Sequence, residues 1–367
     1  MKIAVAMSGG VDSSTVAYLL KKAGYDIFGL FMKNWDEKDE SGHCISEKEY
    51  KDVVSVCNAL DIPYYAVNFT EEYWDNVFTH FLEEIKGGYT PNPDVLCNRE
   101  IKFNVLLKKA LSLGADKLAT GHYCQTHEGQ LIKGIDPEKD QSYFLYTIKK
   151  DILGTVLFPI GGMEKSEVRR VAKEAKISVH DKKDSTGICF IGKRNFKSFL
   201  ENYIPNVPGN FETLDGEILG KHEGAVYYTI GQRKGMGIGG PGDAWFVVNK
   251  EVQRNVVIVA QGKNHPALFA DTLIATEVSW VGPPPSTFPF TCKAKVRYRQ
   301  KEQTCTIEKE EDGHIYVSFE EPQRAITPRQ SVVFYDGDVC MGGAIIKSAG
   351  NSYYQRGLCL PEKLLCV

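Results

Sequence analysis

At 367 residues the chain is longer than one ordinary core can organise, so two or three domains are expected. Its formal net charge of −3 excludes a globally basic nucleic-acid binder and confines any such surface to a local patch. No apolar run is long enough to span a bilayer and the first strand starts without a leader, so a cytoplasmic protein with no membrane partner is expected, its ten cysteines reduced rather than paired.

An apolar run, Ile3 to Met7, leads into Ser8-Gly9-Gly10-Val11-Asp12-Ser13-Ser14 and then a helical pattern through Ala17, Leu19 and Leu20, which predicts strand, glycine turn and helix. Such a turn aims backbone N–H groups and the positive end of a helix at one point, and Gly9 and Gly10 admit an anion without a Cβ clash. Phosphate binding follows, although two glycines could answer a steric need alone. The lysine of a P-loop is missing, and so is the spacing of GxGxxG.

Asp26 to Met32 reads as a second strand, followed by a polar segment, Lys33 to Ser46. Met32, at a carboxyl end, either faces a nucleotide crevice or packs in the core. A helix over 47–60, a strand over 64–69 and an amphipathic helix over 71–85 continue the alternation, which implies a doubly wound parallel sheet of α/β class.

Tyr89 to Phe103 then joins a proline-stiffened loop to a helix reaching about Leu113. Cys97 is expected at or just before the helix start, where free N–H groups and Arg99 favour a thiolate; the plainer alternative is a buried cysteine with Asn98 as cap. Asp94 is a candidate proton-transfer group or a turn residue. A strand over 116–120 ends in Gly121-His122-Tyr123, where Gly121 lets a nucleotide approach the backbone and His122 meets substrate, unless this is only a tight turn. Lys139 to Phe144 combines charge, amide and aromatic groups in a way that suits RNA. Residues 165–175 read as a solvated amphipathic helix. Lys183 to Gly192 puts Cys189 in a glycine-flanked loop. If Cys97 and Cys189 converge on the crevice, one can carry sulfur and the other release it by thiol exchange.

Beyond Tyr203 no long helical pattern remains, which divides the chain into an α/β domain over 1–203, a small β-rich domain over 204–270 and a C-terminal antiparallel β-barrel over 271–367. Gly231 to Gly240 surrounds Arg233 and Lys234 with glycine, as a flexible basic loop along a phosphate backbone or as a plain hairpin. Gly282 to Pro285 and Asp336-Gly337-Asp338 are turn signals among the barrel strands. Lys293, Lys295, Arg297 and Arg299 alternate, so they are expected to share one strand face and supply the local basic patch.

Together these stretches resemble the bacterial tRNA-specific 2-thiouridylases, the MnmA family of the PP-loop ATP pyrophosphatases. SGGVDSS from Ser8, TPNPDVLCN from Thr90, TGHY from Thr120, KDQSYFLY from Lys139, DSTGICFIG from Asp184, GQRKGMGIGG from Gly231, VRYRQ from Val296 and the region from Pro322 occur in one order along nearly the whole chain. The resemblance implies an adenine-nucleotide alpha-hydrolase fold and a sulfurtransferase. Such an enzyme adenylates the wobble uridine of tRNAs for Lys, Glu and Gln with ATP, then replaces the C2 oxygen with sulfur from a cysteine persulfide. It implies that Met7, Ser8, Gly9, Gly10, Val11, Asp12, Ser13, Ser14, Met32 and Gly121 bind ATP, with Mg²⁺ on the phosphates and Asp12 as a possible aid. Cys97 is then the nucleophile and Cys189 the persulfide carrier, the two forming a transient disulfide. Asn92, Pro93 and Asp94 would contact the target base; His122, Lys139, Asp140, Gln141, Tyr298, Arg299 and Gln330 would meet tRNA. The implied sulfur donor is a cysteine desulfurase or a sulfur-relay protein. Two positions depart from the family pattern: Arg329 replaces a usual glycine before Gln330, and Cys124 replaces a small residue after GHY. Competing readings are an amide-forming PP-loop enzyme, a tRNA-binding protein without thiolation, and a thiolase that uses an iron–sulfur cluster.

Overall fold

The structure, a computed structural model, describes residues 1–35, 45–184 and 196–365. The N-terminal sheet contains β1 (Lys2–Met7), β2 (Asp26–Lys33), β3 (Tyr64–Asn68), β4 (Lys117–Ala119) and, later in the chain, the two-residue strand Val156–Leu157. All neighbours run parallel, in the order β3, β2, β1, β4, then Val156–Leu157. Strand order therefore reverses between β1 and β4, and a ligand crevice belongs beyond the carboxyl ends of those two strands.

Side chains of β1 alternate between two cores. Ile3, Val5 and Met7 join Val16, Ala17 and Leu20 of the helix Val11–Lys22 and Val168 and Ala172 of the helix Lys165–Glu174. Ala4 faces the opposite core, built from a helical stretch over 70–86 and another over 93–112. The second stretch is π-wound from Cys97 to Leu106. This same core runs on into the central domain through Tyr227, Tyr228, Met236 and Val247, so the Cys97 helix, the sheet and that domain share one continuous core.

Between β4 and Val156–Leu157 the chain forms a hairpin, β5 (Cys124–His127) and β6 (Gln130–Lys133), turning at Glu128 and Gly129, both at positive φ. After β7 (Val156–Leu157), the central domain pairs β8 (Gly209–Glu212), β9 (Ile218–His222), β10 (Trp245–Glu251) and β11 (Val256–Gln261) in the order β10, β11, β8, β9. The last domain is a closed six-stranded barrel of β12 (Phe269–Trp280), β13 (Phe290–Lys295), β14 (Gln303–Glu311), β15 (His314–Arg324), β16 (Ser331–Asp336) and β17 (Val339–Ala349). Pairing of β12 with β17 closes it. The hairpin adds to β17, with Leu131 opposite Cys340, so a piece of the N-terminal domain extends the barrel sheet.

The four alternating cations do not share a face. Strand β13 ends at Lys295, and Val296 to Arg299 turn away, because Arg299 takes a left-handed φ of 65° and Arg297 is drawn inward by carbonyl acceptors. No described helix is long and apolar enough to cross a membrane.

Candidate active site

Beyond β1, Ser8 to Ser14 form a tight loop. Ser13 accepts a hydrogen bond from the Ser8 amide at 3.2 Å, and the Ser14 hydroxyl donates to the Gly10 carbonyl at 2.8 Å. Gly9 sits at φ 69°, where a Cβ would lie 2.7 Å from the Glu49 carbonyl oxygen. Gly10 starts the helix Val11–Lys22, and no side chain caps it, which leaves the positive end of the helix open for an anion. Gly121, beyond β4, packs against this loop so closely that a Cβ would lie 3.1 Å from both Asp12 Cβ and the Ser13 amide. An uncapped helix start, a folded serine-glycine loop and a glycine-lined wall fit a nucleotide phosphate. Met7 is buried and Met32 packs half-buried against the core, beside the crevice mouth.

Asp12 is held by two groups that the sequence analysis does not single out. Tyr123 donates to its Oδ1 at 2.8 Å, and Lys165 donates to both oxygens at 2.7 and 2.8 Å. Lys165 also pairs with Asp184 at 2.8 Å, as do Lys139 and Arg169 at 2.7 Å. Burial alone would raise the Asp184 carboxyl, but hydrogen bonds from Lys139 and Lys165 hold it down to about 2. The helix Lys165–Glu174 is thus not merely solvated; its first residue faces the nucleotide loop. Among the described residues no cluster of three or more carboxylate, histidine or cysteine side chains could hold a metal, and Asp12 is already spent on Lys165 and Tyr123. No all-protein cation cage is thus present among the described residues, and an ion carried by the phosphates of ATP would need only one carboxylate such as Asp12 beside them.

The helix that carries Cys97 begins earlier than expected. Pro93 occupies its first turn, since it needs no hydrogen-bond acceptor there, and the Cys97 amide already donates to carbonyls of that turn. Cys97 is 2% exposed, one turn inside the helix, and Arg99 spends its Nε on Glu100 at 2.6 Å. The open helix end therefore lies at Asn92 and Asp94, not at the thiol. Asn98 is no cap; its Nδ2 donates to the Phe144 carbonyl at 3.2 Å, and its Oδ1 has no partner among the described residues. Burial raises the Asp94 carboxyl, and Lys102 on the same helix works against that rise.

Gly121 and His122 connect the two halves of the site, because Gly121 touches the nucleotide loop while His122 meets the Cys97 helix. Lys102 lies 3.4 Å from His122 Nε2, and Thr120 Oγ1 lies 2.8 Å from Nδ1. An ammonium can only donate, so Nε2 accepts and the ring proton sits on Nδ1, facing Thr120. Burial, with Lys102 assisting, keeps His122 well below its ordinary pKa and hence neutral. The ring is packed by Phe103 and Phe158.

The residues expected to meet tRNA divide. Tyr298 packs on Phe144 with ring centres 4.4 Å apart, Arg299 lies over Tyr298, and Phe144 is the residue that receives Asn98, so this aromatic group adjoins the Cys97 helix. Gln330 donates to the Thr90 carbonyl at 2.6 Å and Thr90 meets Thr229, so barrel and central domain both grip the loop that leads to Asp94. Gln141 accepts from the Tyr123 amide, and Lys139 is paired with Asp184. Asp140 is 5% exposed and turned inward, accepting from Ser142 and from Lys295 of the barrel at 3.1 Å. Cys189 lies outside the described residues, and with it the expected meeting of the two thiols.

Three family models tile the sequence: a tRNA methyl transferase HUP domain over 1–193, a tRNA methyl transferase PRC-barrel domain over 197–261 and an aminomethyltransferase beta-barrel domain over 270–346. Over 366 residues the chain is 57% identical to a tRNA-specific 2-thiouridylase MnmA of Protochlamydia amoebophila, covering 98% of this chain and 97% of that one. The chain belongs to the MnmA family. It is also 55% identical over 349 residues to the MnmA of Shouchella clausii, covering 94% and 96%. A solved 4-thiouridine synthetase–RNA complex with bound ATP is similar at 20% identity and a TM-score of 0.37, covering 55% of this chain and 49% of that one, too slight a likeness to argue from.

Against the MnmA pattern, Arg329 stands at φ 69°, a conformation that explains why glycine suits the position. Here the arginine pairs with Glu84 of the N-terminal domain and, at 3.1 Å, with Glu277 of the barrel. Gln330 beside it spends its amide on the Thr90 carbonyl, a contact within the chain. A cavity of about 340 Å³ bordered by Arg329, Glu84, Tyr89 and Lys347 contains none of the expected site residues. Cys124, the other departure, is fully buried, and burial pushes its thiol well up, away from reactivity.

Proposed function

We propose that this chain thiolates C2 of the wobble uridine in tRNAs for Lys, Glu and Gln, using ATP and a persulfide on Cys189. The observation that supports the reading is the Gly121-His122 pair, which touches the Ser8–Ser14 loop on one side and Lys102 of the Cys97 helix on the other. A urea-like carbonyl is a poor electrophile with a poor leaving group, and adenylation answers both defects. Asp94 takes the N3 proton of the splayed uridine as its O2 attacks the α-phosphorus, and the bond to pyrophosphate breaks. The terminal sulfur of the Cys189 persulfide attacks C2, and AMP leaves with the former uridine oxygen. The Cys97 thiolate then attacks Sγ of Cys189; the sulfur–sulfur bond breaks and its electron pair stays on the sulfur bound to C2. N3 regains its proton, and an external thiol reduces the resulting Cys97–Cys189 disulfide. Mg²⁺ would arrive on the phosphates of ATP, and the sulfur would come from a cysteine desulfurase or a sulfur-relay protein.

Tyr298, Phe144 and Arg299 support an RNA-facing role through stacking and charge, and an anticodon loop presents bases that are already unpaired. The test uses Cys97→Ser and Cys189→Ser. Each is expected to abolish thiolated tRNA on a mercury gel while pyrophosphate release and tRNA binding persist. Normal gel retention with either variant refutes the assignment.

A further inference from the structure

Lys182 has no part in the chemistry proposed for the site, yet it grips the nucleotide loop from behind. Its ammonium donates to the Gly9 carbonyl at 2.9 Å and to Asp52 Oδ2 at 2.7 Å. Asp52 belongs to the helix Ile45–Ala59, which presses on the same glycine: a Cβ at Gly9 would lie 3.3 Å from Asp52 Cβ and 2.7 Å from the Glu49 carbonyl oxygen. The lysine therefore bridges the loop and the helix packed against it. Its own backbone is fixed, because the Lys182 amide donates to the Val179 carbonyl at 2.9 Å and its carbonyl accepts from both terminal nitrogens of Arg169 at 3.2 Å. Arg169 also pairs with Asp184 at 2.7 Å, and Asp184 pairs with Lys165, the lysine that holds Asp12. One segment, 165–184, thus holds the loop at two points, Gly9 and Asp12.

The Gly9 contact sets a direction. In a trans peptide the carbonyl and the following N–H point to opposite sides of the chain, and the Gly9–Gly10 bond is trans. With the Gly9 carbonyl drawn to the ammonium, the Gly10 amide is turned to the other side, at the start of the uncapped helix. A glycine has no side chain to favour one backbone conformation, so the tether acts where the chain is otherwise least constrained. A flipped peptide at this point would present a carbonyl oxygen to an anion instead of an N–H.

We propose that Lys182, anchored by Asp52, is a positioning residue for the ATP phosphate loop: it holds the Gly9–Gly10 peptide in the orientation that directs the Gly10 amide at the nucleotide, without touching the nucleotide itself. This rests on the reading of Ser8 to Ser14 as the ATP loop. Without the tether the peptide samples both orientations, and the apparent affinity falls with the fraction of chains that keep the competent one. The rate from the bound complex is unaffected, because bound ATP selects the competent form.

The test measures, on the full chain, the Kd for ATP by equilibrium dialysis and the rate of pyrophosphate release at saturating ATP and tRNA in a single turnover. Lys182→Met is expected to raise the Kd roughly tenfold, while the saturating rate stays within about twofold and tRNA affinity is unchanged. Lys182→Arg is expected to restore most of the affinity, since a guanidinium can still donate to both acceptors. Asp52→Ala is expected to weaken ATP binding in the same direction, and Asp52→Ala with Lys182→Met to bind no more weakly than Lys182→Met alone. The proposal is overturned by an unchanged Kd in Lys182→Met, by a matching loss of tRNA affinity, by a saturating rate that falls as far as the affinity, or by tighter ATP binding in Asp52→Ala. The last two results would make the lysine a direct phosphate contact. Gly121→Ala separates the proposal from the reading beneath it: a Kd unmoved in both Gly121→Ala and Lys182→Met removes the loop as the nucleotide site, whereas a Kd raised in Gly121→Ala but unmoved in Lys182→Met defeats Lys182 alone.

Discussion

Arg297 and Arg299 stand two residues apart in a motif expected to bind RNA, and their surroundings divide them. Arg297 lies inside the junction of the central domain and the barrel, donating to the Ile230 carbonyl at 2.7 Å, the Ala325 carbonyl at 3.0 Å and the Thr327 hydroxyl at 2.8 Å. Removing it strands buried acceptors, and hydrogen bonds to a charged donor contribute about 1.5–3 kcal/mol each. Arg297→Ala is therefore expected to lower stability by about 3 kcal/mol in denaturant titration. Arg299 is exposed and extends over Tyr298. Arg299→Ala is expected to leave stability unchanged and to flatten the salt dependence of tRNA binding, measured by filter retention over a range of ionic strength. An unchanged salt slope would count against contact with the phosphate backbone.

At the scale of an element, the nucleotide loop depends on what packs behind it. Gly121 has an ordinary φ, so its requirement is steric alone: a Cβ would press on Asp12 and Ser13 at 3.1 Å. Gly121→Ala is expected to raise KM for ATP about tenfold, on the order of 1.4 kcal/mol of binding, with tRNA affinity unaffected. Steady-state kinetics checks this, and an unchanged KM would remove Gly121 from the nucleotide wall. Asp184, gripped by Lys139, Lys165 and Arg169, ties the Lys165–Glu174 helix to the same loop. Its carboxyl is depressed to about 2, against about 3.9 in an unfolded chain. A depressed carboxyl stabilises the fold fully above the unfolded value, and that contribution disappears as pH falls through the folded one. The gap in unfolding midpoint between the natural chain and Asp184→Asn is thus expected to hold from neutral pH to about 4 and to close towards pH 2. A gap independent of pH would contradict it.

Across the whole molecule, the three domains meet around the Thr90 loop and the hairpin β5–β6. Lys295 of the barrel reaches Asp140 at 3.1 Å, and Lys133 of the hairpin reaches Glu302 of the barrel at 2.9 Å. Removing one member of a buried pair leaves an uncompensated charge, at a cost of about 3–5 kcal/mol, whereas replacing both members is often close to neutral. Lys295→Met is expected to be strongly destabilising and Lys295→Met with Asp140→Asn to recover most of the loss, as read by a double-mutant cycle in denaturant. Absence of coupling would mean that the pair does not join the domains. Asp140 shows how a residue in an RNA-like motif can serve the frame instead of the ligand.

The βα alternation, the glycine turn after β1, the doubly wound class and the barrel were legible in the residues, because alternation and helical period are local and the Ser8–Ser14 loop carries its own chemistry. The Cys97 helix starts one turn earlier than the proline-stiffened loop suggests, since Pro93 itself can open a helix. The hairpin β5–β6 was overlooked because Glu-Gly is a weaker turn signal than Asn-Gly. What no local pattern could decide was the partner of each cation. Lys165 finds Asp12 across 153 residues and Lys295 finds Asp140 across 155, while along the chain each looks like one more solvated charge. Burial and partnering depend on which surfaces the fold brings together, so tertiary structure alone sorted the basic residues into those behind the Ser8–Ser14 loop, those at a domain joint and those left exposed.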